Sequence, residues 1–389
     1  MYTENNDIFE ASLMHKNIHV ADFAIDASSG NILGKIDIIN KPHLPLGISN
    51  AVSIENALAR WIAYRNIPAS RNGLQNVLDY FDVSTPLAAS VKNLGLNLSD
   101  QYWYKPINSS INWKDVNLFD HDFDRLYASK HVTGSLNPDV SSNGNLPKFW
   151  CIKDRKRLLY KGSNGPLDQE PYNEQVASNL LERFQIHHVP YTIDIVNGHP
   201  HSVCETFVDK DTEYIPAIDV LRSSGKLNNE NEYQHFFRAI EALGGNPDHS
   251  YIDNMLLFDY MIDNIDRHLG NFGVIRNADT LEIKGYAPIF DNGMSFWCNK
   301  TTREVGVGKF EGKPFAKDEK KLFKMIKSPT SLALAKVDAK EIKSMAIHVF
   351  KQNPDLSEER IRRIAEGMVM RYNYLQSVYK KRARLYNYN

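Results

Sequence analysis

The sequence predicts an α+β fold with two lobes, a β-rich lobe followed by a helical lobe, preceded by a small mixed α/β region. Three observations predict it. Short apolar segments separated by tight polar turns fill residues 131–208, and helical periodicity dominates residues 209–389. Residues 1–130 carry short strands and then three helices. Because strands and helices in separate runs are typical of α+β proteins, we expect domain boundaries near residues 130 and 208.

The composition is that of an ordinary globular protein. Hydrophobic residues make up 42%, charged residues 24%, and the net charge is −1, so no overall field attracts nucleic acid or membranes. No apolar run approaches the length of a membrane span, and the first residues lack the pattern of a signal peptide. The three cysteines lie far apart, without a metal or disulfide spacing, which favours a reducing compartment. We expect a cytoplasmic protein, although export without a signal peptide would leave the same sequence.

The first region begins with a predicted hairpin, whose strands lie within residues 18–39 around a turn at 28–31. Three helices are then expected: helical periodicity begins at Ser53, Ser70 can cap a second helix, and Ser84 opens a third with Pro86 just inside it. Arginines on these helices raise the alternative of a DNA reader. No recognition helix dense in basic and amide side chains follows, so DNA contact is not expected. The aromatic-rich segment 100–124 is interpreted as irregular chain that packs between domains.

The second region is predicted to hold two hairpins and one helix. Its strands lie at 148–152 and 157–161, and at 189–193 and 202–208, with the helix from Pro171 to Phe184 between the hairpins. On this helix Glu174 falls on an otherwise apolar, inward-facing stripe. A buried carboxylate is costly unless a cation meets it. Lys161, at the end of the preceding strand, is its expected partner.

The third region is predicted to be helical except for one hairpin. Helices are expected at 233–243 and 250–264, and the second is apolar on nearly all sides, which indicates a buried helix. A hairpin over residues 272–286 would bring Asp291 back beside Asn271. The remainder is mostly helical, with Ser357 capping one helix.

Around this hairpin the sequence offers an Asp, an amide five positions on, and a second Asp, namely Asp266, Asn271 and Asp291. Phosphoryl transfer from a nucleotide needs these groups: one carboxylate accepts the proton of the incoming hydroxyl, while the Asn and the other carboxylate hold Mg²⁺. The D-x-x-x-x-N spacing equals that of the protein-kinase catalytic loop, and Asp291 with Gly293 is similar to D-F-G. The alternative is that Asp and Asn are common turn formers. Both pieces in this order, behind a strongly apolar helix, favour phosphoryl transfer.

Other residues fit the same chemistry. Lys161 would bridge the α- and β-phosphates, with Glu174 holding it in place. Arg267 and His268 would steady the catalytic loop or touch phosphate. For His268 a supporting hydrogen bond is favoured over general-base work, because Asp266 fills that role.

Two segments on either side of this hairpin resemble a known family. The segments 265–271 and 288–291 resemble the HipA-like kinases, bacterial serine/threonine kinases that act as toxins of toxin–antitoxin pairs or, in the CtkA-type relatives, as effectors. The D-R-H-x-x-N element is also similar to the phosphatidylinositol 3/4-kinases. The resemblance covers residues 136–330. It implies a two-lobed protein-kinase-like fold and an ATP- and Mg²⁺-dependent kinase that phosphorylates a protein hydroxyl and also itself.

The family's roles can be transferred to matching positions. The resemblance implies Asp266 as the catalytic Asp, Asn271 and Asp291 as magnesium ligands, and Lys161 on ATP. It also implies that a hinge meets adenine through its backbone and that a phosphate loop carries an autophosphorylated serine. The hinge candidates are Glu205, Thr206 and Phe207, and the phosphate-loop candidates are Ser141, Ser142, Asn143 and Gly144.

Three questions stay open. The first 130 residues do not resemble the N-terminal domain of the best-known HipA toxins, which leaves open whether the partner is an antitoxin or another regulator. A lipid or small-molecule kinase is a second enzyme hypothesis, against which stands the lack of a basic patch suited to an anionic lipid surface. A silent pseudokinase that binds a partner or DNA is a third hypothesis. Because all the transfer groups are present, a protein serine/threonine kinase acting on a protein substrate is the leading hypothesis.

Overall fold

The computed structural model describes residues 8–26, 31–65, 74–121, 146–326 and 330–386. Among these residues no helix is both long enough and apolar enough to cross a membrane. The three cysteines are free.

The N-terminal region contains a four-stranded antiparallel sheet. Its strands are β1 (Ile8–His15), β2 (Ile18–Asp26), β3 (Ile32–Ile38) and β4 (Tyr102–Pro106). Their order is β3-β2-β1-β4, so the predicted hairpin is β2–β3. The interpretation of the aromatic segment as irregular chain is wrong for β4. Its first three aromatic residues are all buried, so both faces of the strand are covered and the polar alternation that marks a half-exposed strand is missing.

Helices pack on this sheet, except that the second in chain order packs on the third. They are α1 (Ile54–Tyr64), α2 (Leu74–Phe81), α3 (Pro86–Lys92) and the short α4 (Trp113–Val116). Ser53 caps α1, accepting a hydrogen bond from the backbone N–H of Asn56. The cap of α3 is Thr85 rather than the predicted Ser84. The predicted cap at Ser70 lies outside the described residues.

The second sheet has the four predicted strands, although the third begins three residues after, and the fourth three residues before, its predicted start. Its strands are β5 (Lys148–Lys153), β6 (Lys156–Lys161), β7 (Thr192–Val196) and β8 (His199–Glu205), with helix α5 (Gln169–Arg183) packed against it. The strand order is β5-β6-β8-β7. The β5–β6 turn at Asp154 and Arg155 has both φ angles positive, which suits a two-residue hairpin.

The third region is mainly helical. Strands β9 (Thr212–Pro216), β10 (Gly273–Asn277) and β11 (Ile283–Tyr286) form a small sheet in the order β11-β10-β9. The helices are α6 (Ala217–Arg222), α7 (Glu232–Ala242), α8 (His249–Ile262), α9 (Glu319–Met325), α10 (Ser331–Leu334), α11 (Ala339–Phe350) and α12 (Glu358–Tyr386). Strand β9 and helix α6 were not predicted from the sequence. The α+β fold is confirmed.

The N-terminal region packs directly on the helical lobe. The side-chain amide of Gln101 donates to two backbone carbonyls of the β9 segment, both at 2.8 Å. Beside it, Glu213 is fully buried between Arg276, whose Nε donates at 2.6 Å, and His15, whose Nε2 lies 3.2 Å away. The hydroxyl of Tyr102 accepts from Arg276 at 3.2 Å. Buried, mutually satisfied charges of this kind fix the two regions in one arrangement.

Candidate active site

The loop that carries Asp266 and Asn271 is held at both of its ends. At its start lies α8, whose residues 252–262 are all buried, and Asp263 ends that helix in the left-handed conformation with φ of 56°. At the other end, a Cβ on Gly273 would lie 2.0 Å from the carbonyl oxygen of Ile215 on β9. Only glycine allows this close approach of two strands. The loop is therefore clamped between a buried helix and a sheet.

Inside the loop, the backbone carbonyl of Asp266 binds two donors. It accepts from the side-chain nitrogen of Asn271 at 3.0 Å and from the backbone N–H of His268 at 2.7 Å. The nitrogen of the Asn271 amide is used in this hydrogen bond to the backbone. Its oxygen points in the other direction and is the atom available to a cation. The carboxylate of Asp266 is 42% exposed and lies 3.3 Å from the ammonium of Lys313.

His268 supports the loop. Its Nδ1 accepts a hydrogen bond from the backbone N–H of Gly270 at 3.0 Å, the role that sequence favoured for it.

Arg267 is fully buried, so it steadies the loop and does not reach phosphate. Its guanidinium donates to Asp259 on α8 at 3.0 Å, to the carbonyl of Asn271 at 2.9 Å and to the side chain of Asn292 at 2.6 Å. It also donates to the carbonyl of Phe290. One buried arginine thus joins helix α8, the loop and the segment of Asp291. Burial alone would lower the pKa of Arg267, but the Asp259 carboxylate outweighs it and raises that pKa.

The third group of site residues is a buried charge cluster. The ammonium of Lys161 lies 2.9 Å from Glu174 and 2.6 Å from Asp291, so the expected Lys161–Glu174 contact is present. The second oxygen of Glu174 accepts from the backbone N–H of Asn292 at 2.8 Å. The side chains of Lys161 and Glu174 are 8% and 2% exposed, whereas that of Asp291 is 37% exposed. Asp291 is therefore the carboxylate of this cluster that is accessible from outside.

The charges in this cluster shift one another. Burial would raise the pKa of Asp291, but the Lys161 ammonium outweighs burial and lowers it to about 2. Burial would likewise lower the pKa of Lys161, but the carboxylates of Asp291 and Glu174 raise it. At neutral pH the pair is therefore an ammonium and a carboxylate. An ionised carboxylate beside a lysine suits a ligand in which a metal ion is bound to phosphate: the carboxylate binds the metal and the lysine the phosphate.

Asn271 and Asp291 fit a magnesium ion chemically. Both offer hard oxygen donors, and Mg²⁺ usually takes only one or two protein ligands, with substrate phosphates and waters completing its shell. No group of three or more His, Cys, Asp or Glu side chains within the described residues is arranged to hold a metal by itself.

The remaining predicted residues lie elsewhere. Glu205 ends β8, and its exposed side chain pairs with Lys156 at 2.8 Å. The backbone N–H of Thr206 donates to the carbonyl of Arg157, and Phe207 packs against Phe290, next to Asp291. This connection between lobes adjoins the site, but contact of its backbone with adenine stays a prediction. The phosphate turn of Ser141, Ser142, Asn143 and Gly144 lies outside the described residues.

Sequence reasoning missed two lysines. Lys148 on β5 is the direct cross-strand partner of Lys161, and its positive charge also lowers the pKa of Asp291. Directly paired residues share one face of a sheet, so the hairpin register could have revealed Lys148. Lys313 comes from a distant irregular segment, and no local pattern marks it.

Residues 140–371 match the sequence profile described as the HipA-like C-terminal domain. A search of curated proteins finds no match. Among solved structures, HipA of Shewanella oneidensis MR-1, in complex with HipB and operator DNA, is 11% identical, with a TM-score of 0.55 over 95% of this chain and 99% of HipA. The Helicobacter pylori proinflammatory kinase CtkA is 15% identical, with a TM-score of 0.49 over 61% of this chain and 94% of CtkA.

The likeness to HipA bears on the whole chain. The structural alignment spans 95% of the chain and therefore extends into the first 130 residues, although their sequence does not resemble the N-terminal domain of the HipA toxins. The profile match agrees with the resemblance found in the sequence, although it extends further toward the C-terminus.

Proposed function

The chain belongs to the family of proteins with a HipA-like C-terminal domain, and on that premise we propose that it is an ATP- and Mg²⁺-dependent protein serine/threonine kinase. The observation that supports this most is the charge cluster of Lys161, Glu174 and Asp291. Arg267 ties it to the loop that carries Asp266 and Asn271. The site thus combines a lysine ammonium that can hold phosphate, oxygen ligands for a metal ion, and a carboxylate that can act as the base. Phosphoryl transfer requires all three groups.

In the proposed reaction, the hydroxyl of a serine or threonine attacks the γ-phosphorus of ATP. The bond between that phosphorus and the bridging oxygen of ADP breaks, and Asp266 takes up the hydroxyl proton. Lys161 holds the phosphates, and Glu174 fixes the position of its ammonium. Magnesium held by Asn271 and Asp291 would neutralise charge on the phosphates.

Two further properties belong to this proposal. Autophosphorylation would occur at Ser141 or Ser142, the serines of the predicted phosphate turn. An antitoxin-type partner is supported by the likeness to HipA, whose structure was solved with HipB and operator DNA.

The first experiment measures ATP binding and turnover separately. ATP with Mg²⁺ is expected to raise the melting temperature, because a ligand of the native state stabilises it, and the labelled γ-phosphate is expected to appear on protein hydroxyls. Asp291→Asn should remove the Mg²⁺-dependent part of the melting shift and the transfer. Asp154→Asn is the matched control, since Asp154 and Asp291 both have positive φ and asparagine tolerates that conformation.

The outcomes separate the open hypotheses. Label on lipid or a small molecule, with none on protein, would support the second enzyme hypothesis instead. An Mg²⁺-dependent melting shift without any transfer would indicate a pseudokinase. No melting shift with ATP in the wild-type protein would contradict the proposal itself.

A further inference from the structure

A cavity of about 720 Å³ lies between the N-terminal region and the helical lobe. Residues 45–61 and 97–102 supply one side, and residues 214–222 supply the other. A volume of this size is typical of ligand-binding sites, which often occur where domains meet. The hydrogen bonds of Gln101 and the buried cluster around Glu213 hold the two sides together.

The cavity reaches the catalytic loop. His268, Gly270 and Asn271 line it from the loop side, and so does Lys313, whose ammonium lies 3.3 Å from the carboxylate of Asp266. An occupant of the cavity therefore contacts the loop that carries the candidate base and the lysine that is paired with it. The N-terminal region contributes to this site rather than forming a separate unit.

The walls of the cavity are largely apolar, and the residues that make them so include Leu46, Ile48, Trp61 and Pro314. The cavity also holds more cationic than anionic side chains: Arg60, Arg65, Arg222 and Lys313 against Asp100 and Asp219.

Most of these charges already have partners. Arg65 lies 2.6 Å from Asp100, Arg222 lies 3.2 Å from Asp219, and Lys313 faces Asp266. Arg60 is exposed on α1, and no carboxylate of the described ranges pairs with it. Arg60 is thus available to pair with an acidic group of a molecule bound in the cavity.

We propose that this cavity docks the segment of a protein substrate that carries the acceptor hydroxyl, a proposal that rests on the kinase function proposed above. An apolar side chain of the segment fills the cavity, and an acidic side chain meets Arg60. The acceptor serine or threonine then lies at Asp266. Opposite charges placed across such an interface select the partner and suppress others.

The experiment uses the full-length protein with Mg²⁺, a non-hydrolysable ATP analogue and a degenerate peptide library in which every member contains serine or threonine. Bound peptides are identified by mass spectrometry. Wild type is expected to enrich peptides with an acidic and an apolar residue near the hydroxyl. Arg60→Glu should lower that enrichment about tenfold and select basic residues at the same position, because a direct charge contact inverts with its sign.

The control is Lys35→Glu. It makes the same change in charge on an exposed residue of β3, outside the cavity lining. Its peptide selection should equal that of wild type. No enrichment by wild type, or the same acidic selection by Arg60→Glu as by wild type, would overturn the docking proposal.

The same peptides are then offered as acceptors with labelled ATP, which separates the two proposals. Peptides that bind with Arg60-dependent selection but receive no phosphate would support the docking site and contradict the kinase function. Phosphorylation without any Arg60-dependent selection would support the kinase function and contradict the docking site.

Discussion

The two ends of the candidate active site are built differently. At the end proposed to bind the nucleotide (the nucleotide end), Lys161 and Glu174 are almost fully buried, at 8% and 2% exposure, and each of the charges of Lys161, Glu174 and Asp291 has a partner at hydrogen-bond distance. At the acceptor end, Asp266 and Lys313 are 42% and 52% exposed and lie 3.3 Å apart. Buried, paired charges hold their geometry before a ligand arrives, whereas exposed ion pairs are weak and easily replaced. In the proposed kinase reaction, the nucleotide end would be preorganised and the acceptor end would adapt to a protein segment.

Removing the buried arginine that joins the two ends should have the largest effect. Arg267→Met leaves Asp259 buried without its cation, at 1% exposure. We expect the free energy of unfolding to fall by about 3–5 kcal/mol, the usual cost of breaking a buried ion pair. Urea denaturation measures it. Arg303→Met, at an exposed arginine, should change it by less than about 0.5 kcal/mol. A loss below about 1 kcal/mol for Arg267→Met would mean that the buried network does not hold the site.

A double-mutant cycle at Lys161 and Glu174 tests preorganisation at the nucleotide end. Lys161→Met removes contacts with both carboxylates, and we expect kcat/KM to fall on the order of 100-fold, or about 2–3 kcal/mol. Glu174→Gln should cost less, and the double variant should be little worse than Lys161→Met because the two residues act as a unit. The exposed pair Arg183–Glu341 is the control and should show additive, small effects. Additive losses at Lys161 and Glu174 would show that the pair is not coupled.

The pH dependence of stability tests the Asp291–Lys161 contact. The folded-state pKa of Asp291, about 2, lies below its ordinary value of 3.8. Its contribution to stability is therefore fully present above pH 3.8 and is lost as the pH falls through about 2. The difference in unfolding free energy between wild type and Asp291→Asn should be constant near neutral pH, at about 1–2 kcal/mol after screening at the exposed oxygen, and should shrink below pH 3.8. A difference that grows on acidification would contradict the contact. Asp154→Asn should show no such trend.

Lys313→Ala should have the smallest effect. Since an exposed ion pair contributes about 0–1 kcal/mol, kcat should change by less than about fivefold. Lys309→Ala, at a nearby exposed lysine, is the control. Steady-state kinetics with a phosphorylatable peptide measures both variants. A loss on the order of 100-fold for Lys313→Ala would place this lysine in the chemistry and remove the contrast between the two ends.

Local patterns in the sequence were enough to predict the contact between Lys161 and Glu174 and to point to the loop of Asp266. Asp266 and Asn271 belong to one contiguous motif, and Glu174 was found because a carboxylate on an apolar stripe needs a cation. The fold class followed from periodicity, which is strongest in a helix such as α8 that is buried on all sides. These signals lie within short stretches of chain, where spacing and burial are linked.

The rest depends on contacts between distant segments. Strand β4 was missed because burial on both faces removes alternation, and Arg267 could not be recognised as a buried hub before its carbonyl partners were in place. The cavity is lined by residues from the N-terminal region, from β9 and α6, and from the loop of Lys313. No single stretch carries its signature.

The most direct test of the account is the rate of γ-phosphate transfer by Asp266→Asn at saturating ATP and Mg²⁺, measured beside the ATP-induced shift in melting temperature. Asn cannot accept the hydroxyl proton, so we expect kcat to fall on the order of 100-fold or more while the shift stays that of wild type. Retention of more than about a tenth of wild-type kcat, a loss below about 1.4 kcal/mol, would contradict the assignment of Asp266 as the base.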